Sequence, residues 1–341
     1  MKETIKKGLK DYQSEMLIGA RADGAFGPPQ NDVNAAILLR DFNAITATAY
    51  PFLWTGPFRY EFETFNAWVN WGEAHGVPIV MHMIAGPNQY YKDWAKTAVW
   101  NGPELEFFLY EYIRNLMTQN DNYRKVYAWN VTNEVLCRGN GQYRAAEDCF
   151  LEQMGWEADE SGLTGEARVN DRHPRFIAKA YEFAGQFAKG KLELREDDFE
   201  FEPDGLKTRA MVQFIHHLRN RGLRVDAVGF QTHLYWNPAI DYTRLDAFQR
   251  NVEQFHRLGC EVYVTELDNP VLDDGVEGQS RRWEEFYHAC RACGVEQVHT
   301  WGVADGVDRA WRDGTHPLLF DEQFDEKDAY FAVARALEGA F

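Results

Sequence analysis

Long apolar runs are missing from this chain: no stretch of about 18 apolar residues occurs along its 341 positions, which excludes a membrane-spanning helix. The N-terminal segment MKETIKKGLKDYQSEML is charged and lacks the apolar core of a secretory signal. The expectation is a cytoplasmic protein, or an exported one whose leader has been removed. Cysteine is scarce. Cys137, Cys149, Cys260, Cys290 and Cys293 form an odd set of 5 without zinc-ribbon spacing, so no disulfide framework is implied. Cys290 and Cys293 make a C-x-x-C inside an apparent helix rather than at its start, and read as packing residues. Positive charge is in deficit, with 36 Lys and Arg against 53 Asp and Glu. The resulting net charge of -17 repels a phosphate backbone and argues against nucleic acid as a partner. A Gly-rich phosphate turn is absent as well. RADGAFGPP follows the first apolar run, which argues against an open dinucleotide-binding sheet.

What is present is a series of eight short apolar, β-branched runs: LIGARAD from Leu17, AITATAY from Ala44, PIVMHMI from Pro78, VYAWNVTNE from Val126, KLELRED from Lys191, VDAVGFQTHL from Val225, EVYVTELD from Glu261 and QVHTWGVAD from Gln297. Helical spacing separates them, as in Leu105, Phe108, Leu109, Tyr112, Ile113 and Leu116, or in Met211, Phe214, Ile215 and Leu218. Strands alternating with helices eight times predict an α/β fold, a closed (β/α)8 TIM barrel, as one domain over 1–341. The even spacing fails once, between about Cys137 and Arg175. So long a connection is expected to have a function. It begins three residues after Glu134, and is expected to form a wall of the active site on the side of the departing group. A Cys137–Cys149 disulfide within it is allowed but not required.

Glu134 in WNVTNEV and Glu266 in VYVTELDNP each stand at the end of a buried run, where a barrel places its reactive groups. Two carboxylates flanking a glycosidic bond are the usual apparatus for cleaving it. The aromatic content of 15%, including 11 Trp and 16 Tyr, also suits the flat faces of sugars, although most such rings belong to a core.

WNVTNE and VTELD resemble the acid/base and nucleophile segments of glycoside hydrolase family 10, the endo-β-1,4-xylanases. GFQTHL from Gly229, TWGVADG from Thr300 and PLLFDE from Pro317 extend the resemblance in the family's order. The resemblance implies a retaining hydrolase of β-1,4-xylosidic bonds in xylan or decorated xylo-oligosaccharides. Glu134 would be its acid/base and Glu266 its nucleophile. Asn133, Gln231, His233, His82, Gln89, Trp301 and Trp311 would bind substrate or support the pair. No cofactor or metal is implied, the partner is carbohydrate, and a monomer is expected. His233 would donate to Glu266, Gln231 would orient Glu134, and Asn133 would reach the sugar's 2-hydroxyl.

The upstream wall departs from the pattern. Where the family's second strand runs into E-N-E-M-K-W, this chain has Thr48, Ala49 and Phe52. Gly86 and Pro87 replace a Trp and a His after the third strand, and the fifth strand's N-D-Y corresponds at best to Asp197-Asp198-Phe199. Gly86 is expected to open room for a substituent on the sugar. An exo-acting, aryl-glycoside-cleaving or otherwise altered specificity is therefore the main alternative. A silent carbohydrate-binding barrel is disfavoured by the four polar residues Glu134, Glu266, Asn133 and His233. A metal-dependent hydrolase is disfavoured because His82, His233 and His299 include no H-x-H pair.

Overall fold

Each of the eight apolar runs forms a strand: β1 (Leu17–Ala22), β2 (Ala44–Thr48), β3 (Ile79–His82), β4 (Ala128–Asn133), β5 (Lys191–Glu196), β6 (Ala227–Phe230), β7 (Glu261–Leu267) and β8 (Gln297–Thr300). All neighbours pair in parallel, and the order β1-β8-β7-β6-β5-β4-β3-β2 closes on itself as the expected barrel. The computed structural model describes residues 7–13, 15–22, 27–28, 33–144, 147–306, 312 and 314–339. One long helix follows each strand: α1 (Val33–Asp41), α2 (Glu63–His75), α3 (Gly102–Thr118), α4 (Arg175–Phe187), α5 (Leu206–Asn220), α6 (Leu245–Arg257), α7 (Gly275–Cys293) and α8 (Asp328–Glu338).

Local sequence explains these helices. α3 starts where the Asn101 side chain accepts the Glu104 N–H at 2.9 Å and Pro103 occupies the first turn. It buries Leu105, Phe108, Leu109, Tyr112, Ile113 and Leu116 against the barrel, the stripe predicted from spacing. α5 does the same with Met211, Phe214, Ile215 and Leu218. α2 stops at Gly76, whose φ of 66° suits a residue without Cβ.

The inside of the barrel changes character along its axis. Toward the strand starts, Val80, Ala128, Ala227 and Tyr263 form an apolar layer. Above it the filling is polar. His299 bonds Thr46 Oγ1 at 2.8 Å, and Glu193 holds Arg195 through 2.7 and 3.1 Å contacts. Two glycines make this possible. A Cβ on Gly19 would stand 2.4 Å from the His299 ring, and one on Gly229 would stand 2.0 Å from Glu193 Oε1.

The long connection between β4 and α4 corrects one expectation. Its first part stays at the mouth, where Arg138 pairs with Asp197 and Asp198, and Asn88 bonds the carbonyl of Glu147. Its middle runs down the outside along α5. The ribbon of Trp156–Ala158 with Arg172–Pro174 is held near the helix's far end, where His217 meets Glu157 and Asn220 meets the Glu160 carbonyl. Buried His173 and His217 pack there with the Asp159 carboxylate, and every ring nitrogen has a protein partner: Tyr143 and Asp159 for His173, Glu157 and the Glu160 N–H for His217. The cluster acts as a hydrogen-bonded clamp on the insertion. So only the start of the insertion walls the site; the rest is anchored to the flank by buried polar contacts that its composition did not reveal.

All five cysteines are free thiols, Cys137 and Cys149 among them, and Cys290 packs inside α7. Among the described residues no helix is long and apolar enough to cross a membrane.

Candidate active site

A fault in strand register lies just before each glutamate. On β7, Val264 pairs with Val298 and Leu267 with Thr300, three steps against two. On β4, Asn130 pairs with Glu193 and Thr132 with Leu194, two steps against one. Side chains alternate faces along a strand, so one extra residue moves everything after it to the other face. Tyr263 faces the barrel interior, and regular alternation would send Glu266 outward into the helix layer. The bulge turns it to the mouth. On β4 the bulge puts Asn133 beside Arg195 on the inward face, and Glu134 then leaves the strand with a left-handed φ of 52°. That conformation costs a non-glycine residue roughly 1–2 kcal/mol and is retained mostly where function requires it.

The surroundings of the two carboxyl groups differ in sign. Burial pushes the Glu134 carboxyl upward, and the negative charges of Asp197 and Glu266 add to the shift. Asp197 keeps its charge despite burial because Lys207 and Arg138 pair with it, holding it at about 2. Gln231 Nε2 donates to Glu134 Oε1 at 2.9 Å and fixes its orientation, and Arg144 lies 3.4 Å from Oε2. Glu266 is bracketed by donors. Burial works against its ionisation, and His233, His82 and Arg195 overcome this and hold it at about 2. His233 Nε2 donates to Oε2 at 3.2 Å and Arg195 Nη1 to Oε1 at 3.2 Å. Burial opposes the charge of His233, but Asp268, 2.9 Å from Nδ1, raises it to about 10, so the ring is an imidazolium. Arg312 in turn holds Asp268 at 2.5 Å. His82 takes the opposite form: burial and the Arg195 charge push it to about 3, and its Nδ1 accepts from Arg195 at 3.0 Å.

Most of the residues expected here do converge. Asn133 is buried, its Oδ1 lies 3.4 Å from Gln231 Nε2, and its Nδ2 has no hydrogen-bond partner among the described residues. Trp301 meets the His82 and His233 rings edge-on, at 5.2 and 6.1 Å between centroids, and carries the Arg21 guanidinium over its face at 4.9 Å. Gln89 is different: it is exposed on a turn and its side chain bonds Tyr90, which puts it on the rim. Trp311 lies outside the described residues.

The upstream wall is not as expected. Thr48 and Ala49 are buried, and the Phe52 side chain lies outside the described residues. Gly86 opens no room, because a Cβ there would stand 2.4 Å from Met83 Cε and 3.0 Å from the Asn133 carbonyl oxygen: Met83 fills the place of a larger side chain. Tyr50 and Tyr90 supply the surface instead. Their rings stack at 4.8 Å, Tyr50 sets its edge on His82, and burial together with the charges of Glu134 and Glu266 pushes the Tyr90 hydroxyl upward.

The description "Glycosyl hydrolase family 10" matches residues 10–336. The chain belongs to glycosyl hydrolase family 10. Among curated family relatives, Endo-1,4-beta-xylanase A of Thermoanaerobacterium saccharolyticum is 25% identical over 311 residues, covering 82% of this chain and 24% of that protein. Exoglucanase XynX of Acetivibrio thermocellus is 26% identical over 293 residues, covering 81% and 24%. This chain therefore spans about a quarter of the length of either relative. In structure, native xylanase 10B from Thermotoga maritima superposes with a TM-score of 0.78 at 24% identity, covering 97% of this chain and 98% of that one.

Two residues that the sequence did not flag join this site, Arg195 beneath Glu266 and Glu193 beneath Arg195, while Asp197, noted in the sequence only as a counterpart of the N-D-Y segment, lies beside Glu134. One signal was available for the first two. KLELRED alternates charged and apolar residues on a parallel strand, and since both faces of such a strand are covered, Glu193 and Arg195 share one buried face and must pair.

Proposed function

We propose that this protein is a retaining β-glycanase that cleaves β-1,4-xylosidic bonds in xylan or in decorated xylo-oligosaccharides. The observation that carries the reading is the split between two carboxyl groups at the strand ends of one barrel mouth, one pushed toward its protonated form by burial and nearby negative charge, the other held ionised by His233 and Arg195. Glu266 attacks the anomeric carbon while Glu134 gives its proton to the departing oxygen. Water then displaces Glu266 as Glu134 takes back a proton. Asn133 meets the 2-hydroxyl, and Trp301 lies under the reacting sugar. The names of the relatives, a xylanase and an exoglucanase, are compatible with this chemistry and leave the glycan open.

A second reading is favoured by the upstream wall. Thr48, Ala49 and Phe52 stand where the family has Glu, Asn and Lys, and the stacked Tyr50 and Tyr90 line the wall, a change from charged recognition to ring contact. Specificity for a short, substituted or non-xylan β-glycoside fits that wall. The test is kcat/KM on linear xylohexaose, branched xylo-oligosaccharides of equal backbone length, cello-oligosaccharides and aryl xylosides. Turnover of xylosides with retention at the anomeric centre is expected. Inversion, or activity confined to glucosides, would overturn the main reading.

A further inference from the structure

Arg195 is fully buried inside the barrel, so it touches no sugar. Its guanidinium nevertheless ends at the nucleophile. Nε and Nη2 are tied to Glu193, and Nη1 reaches Glu266 Oε1 at 3.2 Å and His82 Nδ1 at 3.0 Å. The fork is held from below by a carboxylate whose own place depends on the missing side chain of Gly229. The floor of the site is thus a fixed cation whose one corner not held by Glu193 is shared between His82 and Glu266, and is aimed at the Glu266 oxygen opposite the one held by His233.

From this geometry we infer that Arg195 is a positioning residue that sets the lifetime of the glycosyl-enzyme, by favouring Glu266 as a free anion over Glu266 as an ester. This rests on the retaining mechanism proposed above. In the first step Glu266 forms a bond to the anomeric carbon, the bond to the leaving oxygen breaks, and that oxygen takes the proton of Glu134. The carboxylate loses its negative charge, and the contact with Arg195 weakens. In the second step a water oxygen bonds to the anomeric carbon, Glu134 takes the water's proton, and the ester bond breaks to return an anion. The contact with Arg195 is regained. A fixed cation therefore opposes the first step and assists the second. His233 cannot substitute for it, since it serves the other oxygen and is itself held by Asp268.

The test uses a dinitrophenyl xylobioside with fluorine in place of the 2-hydroxyl, which slows both steps and lets the ester be weighed as intact protein. Wild type should label once, at Glu266, and reactivate when excess reagent is removed. Arg195→Gln should lengthen the labelled state about tenfold or more, the scale of one lost charge-assisted hydrogen bond. Glu193→Gln/Arg195→Gln, which leaves no buried charge without its partner, should do the same and carries the test if the single variant does not fold. Arg195→Lys should restore most of the wild-type rate. Glu193→Gln alone should act in the opposite direction, shortening the labelled state, because Arg195 then serves Glu266 undivided. A lifetime unchanged or shortened in the folded double variant overturns the role of Arg195. Failure of wild type to label at Glu266 overturns the retaining mechanism instead.

Discussion

The floor of the barrel mouth and its upstream wall are built from different materials. The floor is charge held by charge: Glu266 by His233 and Arg195, His233 by Asp268, Asp268 by Arg312, and Arg195 by Glu193, all on strand ends or buried beside them. The wall is two tyrosine rings on loops, stacked on each other and resting on His82. A charge network inside a protein tolerates little change, because removing one member leaves another buried and unpaired. Ring contacts from loops carry no such penalty. Under the proposed function, chemistry is thereby fixed in the scaffold, and recognition is free to vary above it.

The sharpest way to test that division is to remove the carboxylates. Glu266→Ala should cost about 10⁴-fold or more in kcat on every substrate. Glu134→Ala should cost as much on oligosaccharides, yet spare the first step on dinitrophenyl glycosides, whose leaving group needs no proton. Equal losses on both substrates would mean that the roles are wrong. Next in size is the pH response of the floor. His233 binds its proton more tightly folded than unfolded, so its stabilisation is complete below about pH 6.5 and is lost as pH rises through about 10. Wild type should therefore lose a few kcal/mol of stability across that range that His233→Asn does not lose, measured by denaturant unfolding. Parallel curves would put His233 in its neutral form. In activity, the basic limb should follow Glu134, whose pKa is raised, and no acidic limb should come from Glu266 above about pH 3, since it ionises at about 2.

Smaller effects belong to the wall. Tyr50→Ala and Tyr90→Ala should raise KM for xylo-oligosaccharides by about tenfold and leave an aryl xyloside within about twofold. A kcat loss on both substrates would move these rings into the floor. Smallest is the effect of the lower insertion. Shortening the ribbon around Glu157 to Ser161, clamped to the end of α5, should reduce thermal stability and leave kcat/KM on aryl substrates unchanged. A change in oligosaccharide affinity would show that it reaches the cleft after all.

Much of this contrast was legible in the sequence. Eight apolar runs gave the eight strands, and five ordered motifs gave the two glutamates with Asn133, Gln231 and His233. These features are periodic or contiguous, and repetition makes them visible. The wall was less so, because Met83 fills the place beside Gly86 from three residues away, and no spacing rule predicts which neighbour enters a vacated volume. The path of the insertion was hidden for a similar reason: Tyr143, Asp159, His173 and His217 are dispersed in sequence and meet only once the chain has folded.

The register fault on β7 makes the face of Glu266 a matter of counting. Tyr263 and Glu266 are an odd three residues apart and share a face only because the bulge absorbs one of those steps. Taking out one residue between them would leave β7 matched step for step with β8 and keep Glu266 facing inward, whereas a strand of unchanged length forced straight would turn it into the helix layer. The one-residue deletion should therefore fold as a barrel with Glu266 still at the mouth. Substitution scans keep the length of the chain constant and would never find it.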